Sequence, residues 1–348
     1  MLGQLDTVLM DNPGSSPSPL KPWFRRILFG LFVVALVLAL LGFLYQNISE
    51  ARDRRFNRMP GTLVDVGGRK MHIVCTGEGS PTVVLDSGLG DTYVSWRNVQ
   101  PAIAKFTRVC SYDRAGLGYS DPSAQPRTSE VIAEELHALL HAAEIPPPFV
   151  LVGHSMGGYD VRVFASKFRN EVAGMVLVDS SHPDQENRLP PEFKNIEGTA
   201  IRESEFLEFT MPLGIPRLLR LCEDDPRTRA AECNFRSARE GVAELKAIHQ
   251  SAAQAGASGS LGDMPLIVLS HDPDKPSLEY PPDLARSINE AWEKMQQDLA
   301  HLSTRGLQLT AKGSSHYIQL DRPEMVVAAV RDVIAMAAHP PAITYTLH

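Results

Sequence analysis

The sequence predicts an α/β fold: an eight-stranded, mostly parallel sheet with helices on both faces, a helical cap insertion, and one transmembrane helix ahead of the sheet. Three observations carry this. From Gly61 onward, eight short β-branched runs recur, "TLVDV", "MHIVC", "TVVLDSG", "TRVCSYD", "FVLVGHS", "MVLVDSS", "LIVLSHD" and "LQLTAKG". Apolar residues at helical spacing separate most of the later runs. Strands that are apolar along their whole length and alternate with helices belong in a parallel sheet covered on both sides. The third observation is an uncharged stretch, "ILFGLFVVALVLALLGFLY", from Ile27 to Tyr45.

Taken in order, residues 1–26 form a flexible segment rich in Pro, Ser and Gly. Residues 27–45 are long and apolar enough to cross a bilayer as a helix, residues 46–60 link it onward, and residues 61–340 form the α/β domain. A buried core helix would not need so long an apolar run, and a cleavable signal would end in a small-residue site that is missing here. Lys21, Arg25 and Arg26 precede the span while Arg52, Arg54, Arg55 and Arg58 follow it, so the positive charges nearly cancel as a guide to orientation. Within the domain, "GGRK" joins the first two strands as a hairpin. Helices are expected over Ser129–Ala143, Gly157–Phe168, Leu284–Leu302 and Pro323–Ala338. About 181–262 carries no strand pattern, only prolines, charges and short helical patterns, and reads as the cap over the carboxyl edge of the sheet.

Composition narrows the function. With 348 residues, 43 % hydrophobic and 22 % charged, the chain can bury a large core. Its net charge of -7 supplies no basic footprint for nucleic acid. Of four cysteines, Cys222 and Cys233 bracket the polar stretch "EDDPRTRAAE" without histidines at zinc spacing, which suits a disulfide and an extracytoplasmic domain. Cys75 and Cys110 lie in strand-like runs and read as plain core residues.

Chemistry concentrates at "FVLVGHSMGGYD". A nucleophile at the tip of a tight strand-to-helix turn sits in strained backbone, and neighbours two residues away must be very small. Gly153 and Gly157 around Ser155 meet that need, and Gly158 eases the start of the helix against the sheet. A serine hydroxyl needs a base to take its proton. His316, in "AKGSSHYIQLDRPEMVVAAV", directly follows the last strand and precedes the last helix.

With the elbow, the histidine loop and "YDRAGLGYSD" (Asp113, Arg114, Gly116, Gly118 and Ser120), the chain from about Gly61 to Ala338 resembles a serine hydrolase of the α/β-hydrolase superfamily. The resemblance implies a Ser-His-Asp triad, with the "YDRAGLGYSD" loop mainly structural. Ser315 stands where the family usually has glycine before the histidine. The acid stays open. Family placement after the seventh strand favours Asp274, with Asp272 also in reach, whereas some relatives use a position after the sixth strand, here Asp179. Two backbone N–H groups would form the oxyanion hole, those of Met156 and of Leu89; Asp86 and Ser87 depart from the family's usual histidine, while Gly88 and Gly90 still permit the close backbone approach.

The implied activity is hydrolysis of a carboxylic ester, or an amide or thioester, through an acyl-enzyme, on a small-molecule or lipid-like substrate and without metal or organic cofactor. Aminopeptidase, lipase, thioesterase and perhydrolase activities share this machinery. Epoxide hydrolases and haloalkane dehalogenases are similar at the fold level only, because they attack with an aspartate where this chain has Ser155. The competing class is a catalytically silent binding or scaffolding protein with the same fold, whose signature would be a missing triad member.

Overall fold

The computed structural model describes residues 21–275 and 280–339; most of the expected 1–26 segment, residues 1–20, lies outside them. The first element is the helix α1, Pro22–Phe56, which is long and apolar enough to cross a membrane. The side chains of its apolar first half are exposed, and among its residues only Gln46 is buried.

The eight expected strands all form: β1 (Thr62–Asp65), β2 (Lys70–Thr76), β3 (Thr82–Asp86), β4 (Val109–Tyr112), β5 (Phe149–His154), β6 (Val172–Val178), β7 (Leu266–Ser270) and β8 (Gly306–Thr310). They build one sheet in the order β1-β2-β4-β3-β5-β6-β7-β8. The hairpin of β1 and β2 and the β2–β4 pair are antiparallel; every other pair is parallel. Because successive side chains on a strand face opposite sides, a strand covered twice must be apolar at every position. In β5, Phe149 and Leu151 join one core, with the helices Ser129–Ala142 and Gly157–Lys167, while Val150 and Val152 join the other, with Trp96 and the helix Pro323–Ala338. Burying each such side chain is worth about 1.5–3 kcal/mol, which fixes β5 at the centre of the molecule.

Between β6 and β7 the chain is helical, as the absence of a period-two pattern implied. The two longest elements are Glu192–Thr210 and Phe235–Lys246. Two helices here begin on side-chain caps: Asp225 accepts from the N–H groups of Arg227 and Thr228, and Asn234 accepts from that of Ser237. A Cys222–Cys233 disulfide closes the intervening loop.

Cys75 and Cys110 are not plain core residues. They form a second disulfide, because β2 and β4 pair in a register that sets the two directly opposite each other.

Candidate active site

β5 delivers its last residue, His154, to the carboxyl edge of the sheet, and the chain then turns through Ser155 into the helix Gly157–Lys167. Ser155 has φ +52°, a left-handed conformation that costs a non-glycine residue on the order of 1 kcal/mol or more. The reason for the surrounding glycines is steric. A β-carbon on Gly153 would lie 2.5 Å from the carbonyl oxygen of Gly157, and one on Gly157 would lie 2.6 Å from the carbonyl oxygen of Ser87. Hydrogen bonds stitch the turn to the tip of β6: Ser155 N–H donates to Val178 O at 3.2 Å, and Ser181 N–H donates to Ser155 O at 3.0 Å.

Asp179, the first residue beyond β6, also has positive φ, at +43°. Its fully buried carboxylate accepts the Nδ1–H of His316 at 2.6 Å. It also accepts the backbone N–H and Nδ1–H of His271, both at 2.9 Å to the nearer oxygen, and the Nε1–H of Trp292 at 2.9 Å. Burial alone would raise the Asp179 pKa, but the hydrogen bonds and attraction from His271 and His316 override it and hold the carboxyl well below the usual range. His271 responds in the opposite sense. Burial opposes its charge, yet the Asp179 carboxylate raises its pKa above the ordinary value, and its Nε2–H is held by Asn289 Oδ1 at 3.3 Å.

Of the three candidate acids, the structure brings only Asp179 to His316. The side chain of Asp274 is 83 % exposed and pairs with Lys312 Nζ at 3.0 Å. Asp272 instead fastens the approach to His316, accepting the Gly313 N–H at 2.8 Å. Neither meets the imidazole. Asp274 is four residues beyond the end of β7, and the strand-tip position that faces His316 is filled by Asp179 from the adjacent strand.

His316 uses Nδ1 for Asp179, and among the described residues its Nε2 makes no hydrogen bond. His154 holds the histidine loop by donating its Nε2–H to the His316 carbonyl at 3.1 Å, with the two rings 4.8 Å apart. Burial and the neighbouring His316 depress the His154 pKa to about 3, so this ring is a neutral strut rather than a second base.

The loop after β3 is fixed from below. Arg114 donates to the carbonyl oxygens of Ser87 at 2.7 Å and Gly88 at 2.6 Å, to Asp86 at 2.9 Å and to Glu244 at 2.7 Å. Glu244, from the helix Phe235–Lys246, also accepts the Gly90 N–H at 2.9 Å. With two carbonyls drawn to Arg114, the intervening backbone is held in one orientation. Among the described residues neither Leu89 nor Met156 donates its backbone N–H to a protein acceptor. Asp86, where the family usually has histidine, thus anchors the arginine; its burial pushes its carboxyl up to about 6 despite that partner. The residues missed in the sequence are His271, Trp292, His154 and Glu244. The only signal for the first was its place directly after the β7 run. Among the described residues no group of three His, Cys, Asp or Glu side chains is arranged to hold a metal ion.

The alpha/beta hydrolase family model matches residues 83–329, most of the chain, with both the elbow and His316 inside it. The chain belongs to the alpha/beta hydrolase family. It is 28 % identical to the protein YqjL of Bacillus subtilis over 274 residues, covering 77 % of this chain and 89 % of that one. A 2-hydroxy-6-oxononadienedioate/2-hydroxy-6-oxononatrienedioate hydrolase of Cupriavidus pinatubonensis is 34 % identical over 140 residues, which span 38 % of this chain and 46 % of that protein. Among solved structures, a thermophilic esterase from Thermogutta terrifontis superposes with a TM-score of 0.57 at 24 % identity, covering 80 % of this chain and 99 % of the esterase. That similarity speaks to the fold.

Proposed function

We propose that this hydrolase is a membrane-anchored serine enzyme that cleaves a carboxylic ester, or an amide or thioester, through an acyl-enzyme, with Ser155 as nucleophile, His316 as base and Asp179 as acid. The observation that carries the reading is the 2.6 Å bond from His316 Nδ1 to a buried Asp179 beside the Ser155 elbow. Of the four non-glycine residues with positive φ among those described, Glu144, Ser155, Asp179 and Arg220, two are members of this triad. Strain held at two adjacent strand tips favours a working site over a silent scaffold.

The chemistry follows from the placement. Nδ1–H bonded to Asp179 leaves the Nε2 lone pair free to take the Ser155 proton as Oγ bonds to the carbonyl carbon. The N–H groups of Met156 and Leu89 receive the oxyanion. The imidazolium then passes its proton to the departing alcohol, amine or thiol as the bond to the acyl carbon breaks. Water, deprotonated by the same Nε2, releases the acid and restores Ser155. Throughout, Asp179 keeps His316 in the required tautomer and stabilises its cation.

Helix α1 supports a single membrane crossing. The two disulfides favour placing the domain on the oxidising, extracytoplasmic side. One experiment tests activity and side together. A membrane-impermeant fluorophosphonate added outside intact cells should label the wild-type chain and not Ser155→Ala, and that variant should lose about 10⁴-fold or more in p-nitrophenyl ester hydrolysis. Labelling of Ser155→Ala would remove the serine from the mechanism. Labelling of the wild type only after lysis would put the domain on the cytoplasmic side.

A further inference from the structure

Helix α1 does not leave the rest of the chain at the end of its apolar run; its last apolar turn packs against the helical cap. Gly42 lies so close to Leu213 that a β-carbon there would come within 3.1 Å of the Leu213 carbonyl carbon, and a β-carbon on Gly214 would lie 2.8 Å from the Tyr45 ring. One turn further on, the buried Gln46 donates to Cys233 O at 3.1 Å and accepts from Arg217 at 3.0 Å, while Arg217 also pairs with Asp53. The disulfide loop and the segment 211–217 are therefore clamped to α1. At 1.5 Å per residue, Gly42 sits about 4.5 Å inside the end of the span at Tyr45, so whatever touches it shares the depth of the acyl-chain boundary.

The cap surface beside this clamp carries a group of exposed apolar side chains. Phe206 and Phe209 on the last turn of Glu192–Thr210, and Leu218, Leu219 and Leu221 just after, are 54–77 % exposed. Two cavities lie beside it, the first lined in part by Leu221 of that face. One, of about 120 Å³, is lined by Pro216, Leu221 and Cys222; the other, of about 260 Å³, is lined by Leu89, Gly90 and Asp91 at the candidate oxyanion loop. They share Leu207, Met211 and Glu232 as a common wall. Burial and the nearby Asp91 raise the Glu232 carboxyl well above the usual carboxylate range.

We infer that the cap face of Phe206, Phe209, Leu218, Leu219 and Leu221 lies in the bilayer surface beside α1, and that the paired cavities admit a long-chain lipid ester from the membrane to Ser155. The inference rests on the serine-hydrolase reading for its substrate and on α1 spanning the membrane for its geometry. Exposed apolar side chains, held by a clamp at the depth of a spanning helix, meet lipid rather than water. An ester that stays in the bilayer then approaches along the acyl-chain layer, and its alkyl tail fills the apolar end of the cavity pair.

The test has two arms. In the first, full-length Ser155→Ala is reconstituted in phosphatidylcholine vesicles whose acyl chains carry a diazirine, then irradiated and mapped by mass spectrometry. Cross-links on residues 206–221 as well as 27–45 are expected, and cross-links confined to 27–45 overturn the insertion. This arm does not depend on catalysis. In the second, the hydrolysis rate of 4-methylumbelliferyl oleate in the same vesicles is divided by that of p-nitrophenyl acetate in water. Phe209→Ser with Leu219→Ser should lower this ratio about tenfold, from the lost apolar contact. An unchanged ratio overturns the route. If the wild-type chain hydrolyses neither ester, the route falls together with the hydrolase reading, and the cross-links still decide whether the cap is inserted.

Discussion

The tips of β6 and β7 invite comparison, because each ends an apolar run on an acidic residue, "MVLVDSS" and "LIVLSHD", at the same edge of the sheet. At β6 the aspartate is the first residue off the strand, wholly buried, and its oxygens meet four donors from three separate elements. At β7 that first position belongs to His271; of the two aspartates that follow, Asp272 is buried on the Gly313 N–H and Lys312, and Asp274 turns toward solvent and Lys312. β6 is also the direct neighbour of β5, so Asp179 and Ser155 lie on adjacent tips. On the proposed mechanism, desolvation and a full set of donors beside Ser155 suit Asp179 to the acid's role, whatever its rank along the chain. The β7 tip still contributes, through the donor that saturates Asp179.

The largest expected effect tests that division of labour. Asp179→Asn keeps the shape of the side chain but presents an amide that cannot stabilise the imidazolium and favours the wrong tautomer of His316. A fall of about 10³–10⁴ in kcat/KM for a p-nitrophenyl ester is expected, with the protein still folded by circular dichroism. A loss no larger than that of Asp274→Asn would reverse the comparison and return the acid to β7.

An intermediate effect is expected at His271, which acts on His316 only through Asp179. His271→Gln retains one hydrogen-bond donor but removes the positive charge, and a loss of about tenfold in kcat with little change in KM is expected from looser placement of the acid. Stability supplies a readout that simple packing would not. The folded pKa of His271 is raised, so its ionic contribution is fully present below the unfolded value of about 6.5 and is lost as pH rises through the folded value. The wild-type chain should therefore exceed His271→Gln in Tm by roughly 2–4 °C, or about 1 kcal/mol, near pH 6, and the gap should narrow by pH 9. A gap independent of pH would mean that His271 is neutral and serves as a neutral donor alone.

Much of this comparison was legible before any coordinates. The strand runs, the glycines around Ser155 and the position of His316 are local signals, each dictated by the steric needs of its own few residues. The β6–β7 choice was not legible, because it depends on which carboxylate other elements bury, and Trp292 reaches Asp179 from a helix more than a hundred residues away in sequence. The Cys75–Cys110 bond escaped for a related reason. Two apolar strands show their faces in sequence but not their register, and only the β2–β4 pairing sets those sulfurs together. Asp86 departs from the family's oxyanion-loop pattern in sequence, and the partners that hold that backbone, Arg114 and Glu244, come from the loop after β4 and the helix Phe235–Lys246, far away in the chain.

The smallest expected effect is also the sharpest check on the β7 tip. Asp274 pairs with Lys312 directly but in the open, since the two side chains are 83 % and 62 % exposed. An ion pair in water is worth at most about 1 kcal/mol, because screening weakens the attraction and ordering two long side chains costs entropy. Nor does the loop need it: Asp272 already accepts the Gly313 N–H and a second Lys312 contact at 3.1 Å, and so keeps the path to His316 in place. Asp274→Asn should therefore leave kcat/KM within about twofold of wild type and Tm within roughly 1–2 °C. Asp272→Asn, measured beside it, should do more, because it weakens the acceptor that Gly313 uses two residues before Ser315. If Asp274→Asn instead abolishes hydrolysis while Asp179→Asn is tolerated, then the carboxylate that serves His316 during turnover is the exposed one, and the buried constellation around Asp179 is only structural.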